Sequence, residues 1–320
     1  MSSDVDDSVS WAYDDGEPRA YSYARAGHPA GVACEEALGA LDGGRALLFP
    51  SGMAAVTTAV LTLARPGQTV ALAHGAYYGH HVLLELLGTW DLCCVEFDQT
   101  ATPPPADLIL IEAPSNPLLT MPDFDAAASH PAPVVCDATV ASPLRVRALD
   151  RGCDVALHSA TKILSGHDDV LAGVLVTRDD ALYERLSALR HRTGMVVSAD
   201  TAWRVHRRLE TLEGRVDHQE RSAKELVSRL RSHPSVTLVR YPGFSFLVSF
   251  DVADAAAART VETSLRLIVN ATSLGGTTTK LEGRHRWEGE RCPPGLLRLS
   301  VGLEDADELW ADLEQALARV

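Results

Sequence analysis

Cysteine is scarce and poorly placed for structural use. Six occur in 320 residues, with Cys93 and Cys94 adjacent and the other four scattered. That density is far below that of a disulfide-framed scaffold, and no two are spaced C-x-x-C, which argues against a closed zinc knot or a redox dithiol. Basic charge is also short: 29 Lys and Arg stand against 43 Asp and Glu, a formal charge of −14. So acidic a chain offers no expected foothold for nucleic acid or an anionic membrane, since both need clustered cations. No apolar run reaches the roughly eighteen residues of a membrane-spanning helix. The opening MSSDVDDSVSWAYDDGEPRA lacks the apolar centre of a secretory signal, so a cytoplasmic location is expected. Neither G-x-G-x-x-G nor G-x-x-x-x-G-K-[ST] occurs, which removes the main support for dinucleotide and P-loop readings.

What is present is an alternation of short apolar runs with longer Ala- and Leu-rich stretches. The runs ALLF (46–49), TVALA (69–73), LCCVEF (92–97), DLILIEA (107–113), PVVCDA (133–138), DVALHS (154–159) and AGVLVT (172–177) read as strands. Several are apolar at nearly every position, as strands covered on both faces must be. Segments such as SGMAAVTTAVLTLA suit covering helices. The pattern predicts an α/β fold with a mostly parallel central sheet. An Arg-, Leu- and Glu-rich helical stretch follows to about residue 230. Beyond Ser235 the texture changes to VTLVRY, FSFLVSFDV, LRLIVNAT and LLRLSVGL, ending in a helix with Leu309, Leu313, Leu317 and Val320 at helical spacing. The expected division is an N-terminal arm over 1–34, a large α/β domain over 35–232 and a smaller C-terminal α+β domain over 233–320.

Several candidate groups fall just past the ends of predicted strands, where open α/β sheets bind ligands. SATK (159–162) places Lys162 beside the hydroxyls of Ser159 and Thr161. A desolvated amine there can act as a Schiff-base nucleophile, although on these four letters alone an ordinary loop lysine is the better reading. Asp137 ends PVVCDA. It suits either a buried cationic ring nitrogen or the cap of the next turn. PSGMAA puts Ser51, Gly52 and Met53 at a strand-to-helix turn, a place for a phosphate or a simple cap. In AYYGHH, Tyr77 or Tyr78 can stack on a flat ring or serve as packing. His74, His80 and His81 lack a carboxylate in a recognisable ligand pattern, so no metal is expected. Arg298, in LLRLS, alternates with Leu297 and Leu299 and can hold a carboxylate through a two-point contact or face solvent.

In order along the chain, YSYARAGHP, LFPSGMAA, YYGHH, EAPSNP, CDAT, HSATK with GHDD, TSLGG and RLSVGLED resemble the Cys/Met-metabolism family of pyridoxal-phosphate enzymes, from about Tyr21 to the C-terminus. The resemblance implies the fold type I architecture of PLP-dependent transferases, in an unusually short member. It implies pyridoxal 5'-phosphate as cofactor, with Lys162 as Schiff-base lysine and proton carrier, Asp137 on the ring nitrogen and Tyr78 over the ring. It further implies Ser51, Gly52, Met53, Ser159 and Thr161 around the phosphate, and Tyr23 and Arg25 reaching the phosphate of a neighbouring subunit in a homodimer or homotetramer. Asn116, Ser273 and Arg298 would hold the carboxylate of a small amino-acid substrate. The implied activity is that of a carbon–sulfur lyase working by α,γ-elimination, as in cystathionine γ-lyase. A γ-replacement enzyme, a methionine γ-lyase or β-lyase, and a non-catalytic scaffold are the alternatives. Ser22 and Thr278 stand where cystathionine-handling members often carry acids for the distal ammonium. His80, two beyond Tyr78, stands where methionine γ-lyases have a cysteine.

Overall fold

In the computed structural model, residues 5–320 are described; the first four residues of the expected arm lie outside them. All seven apolar runs form strands: β1 (Arg45–Phe49), β2 (Thr69–Ala73), β3 (Cys93–Phe97), β4 (Leu108–Glu112), β5 (Val134–Asp137), β6 (Val155–Ser159) and β7 (Gly173–Thr177). They make one sheet in the order β1-β7-β6-β5-β4-β2-β3. Every neighbouring pair is parallel except those involving β7, which runs antiparallel to both β1 and β6. The reversal follows from the β6–β7 connection, which is built of turns and not of a crossover helix.

Helices α1 (Pro29–Asp42), α2 (Gly52–Leu63), α3 (Tyr78–Gly88), α4 (Phe124–Ala128), α5 (Asp180–Thr193), α6 (Ala199–Leu209) and α7 (Leu212–Arg231) accompany this sheet. Two apolar cores, one on each face, explain why β4, β5 and β7 are buried along their whole length. LCCVEF departs from this rule. As β3 it is the edge strand, and Cys93 and Cys94 are exposed. The segment before the first helix ends at His28, whose ring nitrogen accepts the Gly31 N–H and caps α1; α1 therefore runs across residue 34.

The C-terminal region forms a second sheet from β8 (Leu238–Arg240), β9 (Leu247–Asp251), β10 (Val269–Asn270), β11 (Lys280–Gly283) and β12 (Leu296–Ser300), in the order β10-β11-β12-β9-β8. α8 (Ala255–Ser264) and α10 (Ala306–Leu317) pack on it with the end of α7, around a third core. Short α9 (His285–Glu288) follows β11. Leu309, Leu313 and Leu317 are fully buried as their spacing predicts, whereas Val320 lies beyond the helix and is exposed.

Candidate functional site

The six mutually parallel strands of the first sheet share one carboxyl edge. The chain leaves it at Ser51 after β1, at Tyr77 after β2, at Asn116 after β4, at Asp137 closing β5 and at Lys162 after β6. These residues line one cavity of about 190 Å³, with Ser273, Arg284 and Arg298 contributed from the side of the second sheet.

At one end lie the hydroxyls. Ser51 caps α2 by accepting the Ala54 N–H at 3.0 Å, which leaves its own proton free to donate. Ser159 Oγ has no hydrogen-bond partner among the described residues. Thr161 is tied down, its hydroxyl bonding both the carbonyl and the N–H of Ala172. The first turn of α2, at Gly52 and Met53, presents backbone N–H groups and the positive end of the helix to the same space. Gly173 keeps this cradle open: a Cβ there would come within 2.2 Å of the Ser51 carbonyl. These donors are neutral and suit an oxyanion such as a phosphate.

Lys162 lies between this end and the arginines. Its amine donates to Ser273 Oγ at 3.1 Å. Burial, reinforced by the nearby Arg298 cation, lowers its pKa to about 8. The amine is thus far more often neutral than an exposed lysine's. Arg215, buried beneath, donates to the Ile163 and Leu164 carbonyls and fixes the loop that carries it. Ser273 sits at φ +82, a backbone conformation that costs about 1–3 kcal/mol for a residue with a Cβ. Its carbonyl accepts from Arg298 at 3.2 Å.

Asp137 is buried on the same cavity. Its Oδ1 accepts the Thr139 N–H and hydroxyl, and its Oδ2 lies 3.4 Å from His80 Nε2. Burial alone would raise its pKa, but His80 and Thr139 outweigh burial and leave it lowered. Beside it on β4, Glu112 is buried and accepts the Tyr77 and Asn116 N–H groups. Burial, with the charge of Asp137 adding to it, pushes Glu112 well up.

The tyrosine of this site is Tyr77, not the expected Tyr78. Tyr77 lines the cavity, its ring edge-on to His80 at 5.7 Å. Gly79 gives the room, because a Cβ there would meet the Tyr77 ring at 2.4 Å and the Met53 sulfur at 2.7 Å. Tyr78 is the first residue of α3 and is not in the cavity lining; its ring instead faces Arg291 at 5.9 Å. The choice was a matter of which neighbour enters the helix, and composition gave no signal for it.

Arg298 is buried and donates to Asn116 Oδ1 at 3.0 Å and to Glu282 Oε2 at 2.9 Å. Asn116, Ser273 and Arg298 therefore meet as expected. Burial, then the neighbouring Arg284 cation, lowers Arg298 to about 10, still a cation at neutral pH. Arg284 bonds Glu282 and Glu288 in turn. Glu282 and Arg284 were not legible as site residues; they arrive through the β11–β12 register that sets Glu282 opposite Arg298. Like Tyr78, Tyr23 and Arg25 lie outside this cavity; the resemblance places the latter two at a neighbouring subunit's phosphate. Tyr23 is exposed, and Arg25 donates to the His191 carbonyl at 3.3 Å.

The donor set fits pyridoxal phosphate: an amine of lowered basicity, a buried ionised carboxylate, an aromatic ring and a neutral oxyanion cradle line one space. Comparisons with known proteins agree. A model of the Cys/Met metabolism PLP-dependent enzyme family matches residues 2–318. The chain is 34% identical to a putative cystathionine gamma-lyase of Streptomyces coelicolor, over 93% of its length and 83% of the relative's. It is 35% identical to a cystathionine gamma-synthase of Mycobacterium bovis, over 93% of its length and 86% of that protein's. The crystal structure of metB from Corynebacterium glutamicum superposes with a TM-score of 0.95 at 32% identity, covering 99% of this chain and 93% of that one.

Proposed function

We propose that this chain, which belongs to the Cys/Met metabolism family of PLP-dependent enzymes, is a carbon–sulfur lyase that acts by α,γ-elimination on a sulfur amino acid. The observation that carries the reading is the meeting of Lys162, Asp137 and the Asn116–Arg298 pair around one cavity. Pyridoxal 5'-phosphate, when bound, supplies the electron sink for the pair released at Cα. Lys162 would hold it and Asp137 would face its ring nitrogen. Ser51, Gly52, Met53, Ser159 and Thr161 would surround its phosphate.

The chain's own residues then have distinct tasks. Arg298 and Asn116 bind the substrate carboxylate and fix which bond at Cα lies near the amine. Lys162 Nζ would take the Cα proton and carry it onward, and its lowered pKa suits that exchange near neutral pH. Ser273 Oγ accepts from the amine at 3.1 Å and would help to orient it. Tyr77, which lines the cavity, would pack against the cofactor and could deliver a proton to the departing sulfur. Overall, thioether substrate and water give thiol, 2-oxo acid and ammonia.

γ-Replacement is the second reading, favoured by the 35% identity to a synthase; there an incoming thiol would be added before release. Among the described residues, the phosphate end of the cavity holds no cation apart from Lys162, while Arg25 stands outside on an exposed segment. That supports a dimer or tetramer in which Arg25 and Tyr23 complete a neighbour's site. The test is a panel of cystathionine, methionine, homocysteine, cysteine and O-acyl-homoserines, with oxo acid and ammonia measured together. Stoichiometric release of both without added thiol supports the lyase. Product that forms only with thiol, and without ammonia, overturns it in favour of the synthase.

A further inference from the structure

Two buried carboxylates stand side by side at the sheet edge. Glu112 and Asp137 are partners in the β4–β5 register, so their side chains leave the same face. Both are buried and both line the cavity. Two neighbouring carboxyls in such surroundings do not both ionise cheaply, and the one with better donors keeps the charge. Glu112 receives two backbone N–H groups, both on Oε2. Asp137 receives the Thr139 N–H and hydroxyl on one oxygen and faces His80 Nε2 at 3.4 Å from the other.

Among the described residues, His80 has Asp137 as the only acid within ion-pair distance. Its neighbours His74 and His81 both lie against Glu96, at 3.2 Å. His158, on β6, is held by Asp42 at 2.8 Å. His80 is buried within the first turn of α3, its ring beneath Tyr77.

We propose that His80 is a positioning residue for the cofactor: by donating to Asp137 it assigns the negative charge of the carboxylate pair to Asp137 and keeps Glu112 neutral. The opposite pKa directions of the two acids agree with that allocation. Asp137 then presents an ionised oxygen to a ring nitrogen, which stays protonated. Without the imidazole the charge is divided between the acids or lost, and the ring nitrogen loses its counter-ion. The inference rests on the pyridoxal-phosphate reading of the cavity.

The experiment uses holoenzyme loaded with cofactor carrying ¹⁵N at the ring nitrogen, at one fixed pH, and reads the ring ¹⁵N shift and the cofactor dissociation constant. Wild type is expected in the protonated range. His80→Phe, which keeps the bulk and removes the donor, should move the shift toward the unprotonated range and weaken cofactor retention by about tenfold. His80→Gln, which restores an N–H donor, should return both toward wild type. His80→Ala, which leaves space, repeats the donor loss where His80→Phe does not fold. A donor-less variant with the wild-type shift and affinity overturns the proposal. If wild type takes up no cofactor, or Lys162→Ala holds it unchanged, the cofactor reading itself falls.

Discussion

Lys162 shows how burial becomes chemistry. The unfolded chain keeps its amine protonated up to the ordinary value of 10.5, while the folded chain releases the proton at about 8. Between those values the unfolded state binds more protons, so this residue makes the cofactor-free protein more stable as pH rises through that window. Lys162→Met should flatten that rise by on the order of 3 kcal/mol across the window, measured by denaturant unfolding of the apo form at several pH values. It should also abolish the absorption band that belongs to the lysine-linked cofactor. Arg298 acts by geometry as much as by charge. Arg298→Lys keeps the cation but loses the fork that reaches Asn116 and Glu282 together. We expect kcat/KM to fall by about ten- to a hundredfold with cofactor retention unchanged; an unaltered kcat/KM would remove Arg298 from carboxylate binding.

Among the elements, the start of α2 and the start of β7 are locked together. Gly173 pairs with Phe49 across β1 and β7, directly under the Ser51 carbonyl. Any side chain at 173 must push the α2 N-terminus and so disturb the oxyanion cradle. Gly173→Ala should lower the melting temperature and weaken cofactor affinity together. The same substitution with only the melting temperature changed would separate the cradle from phosphate binding. β11 works the same way at the other wall, because its register delivers Glu282 to Arg298. Glu282→Gln leaves Arg298 and Arg284 with less counter-charge. It should therefore tighten anionic carboxylate inhibitors modestly while costing stability.

Over the whole molecule, the placement of Arg25 outside its own cavity makes subunit exchange informative. If Arg25 serves a neighbour, Arg25→Ala and Lys162→Ala homo-oligomers should each be impaired. Co-refolding them should restore about a quarter of the sites, each with one intact Lys162 and one intact Arg25. No recovery, with mixed oligomers shown to form, would place Arg25 outside the cofactor site.

The strands were legible because a sheet covered on both faces demands unbroken apolar runs. The sites at their ends were legible because a parallel sheet turns strand ends into one edge. Lys162, Asp137 and Asn116 follow from that rule together with a family resemblance, whereas Arg298, in the middle of β12 in the second sheet, follows from the resemblance alone. What the linear order could not decide was set by packing between distant segments. Tyr77 enters the cavity and Tyr78 does not because of where α3 begins and where Gly79 leaves room. β11 is not among the expected strands because KLEG is only four paired residues of mixed polarity, and its strand character comes from its partners. The composition of the chain determined which elements could form and where ligand chemistry would gather. Only the tertiary structure decided which of two adjacent carboxylates bears the charge, since that depends on a histidine from another element meeting one acid and not the other.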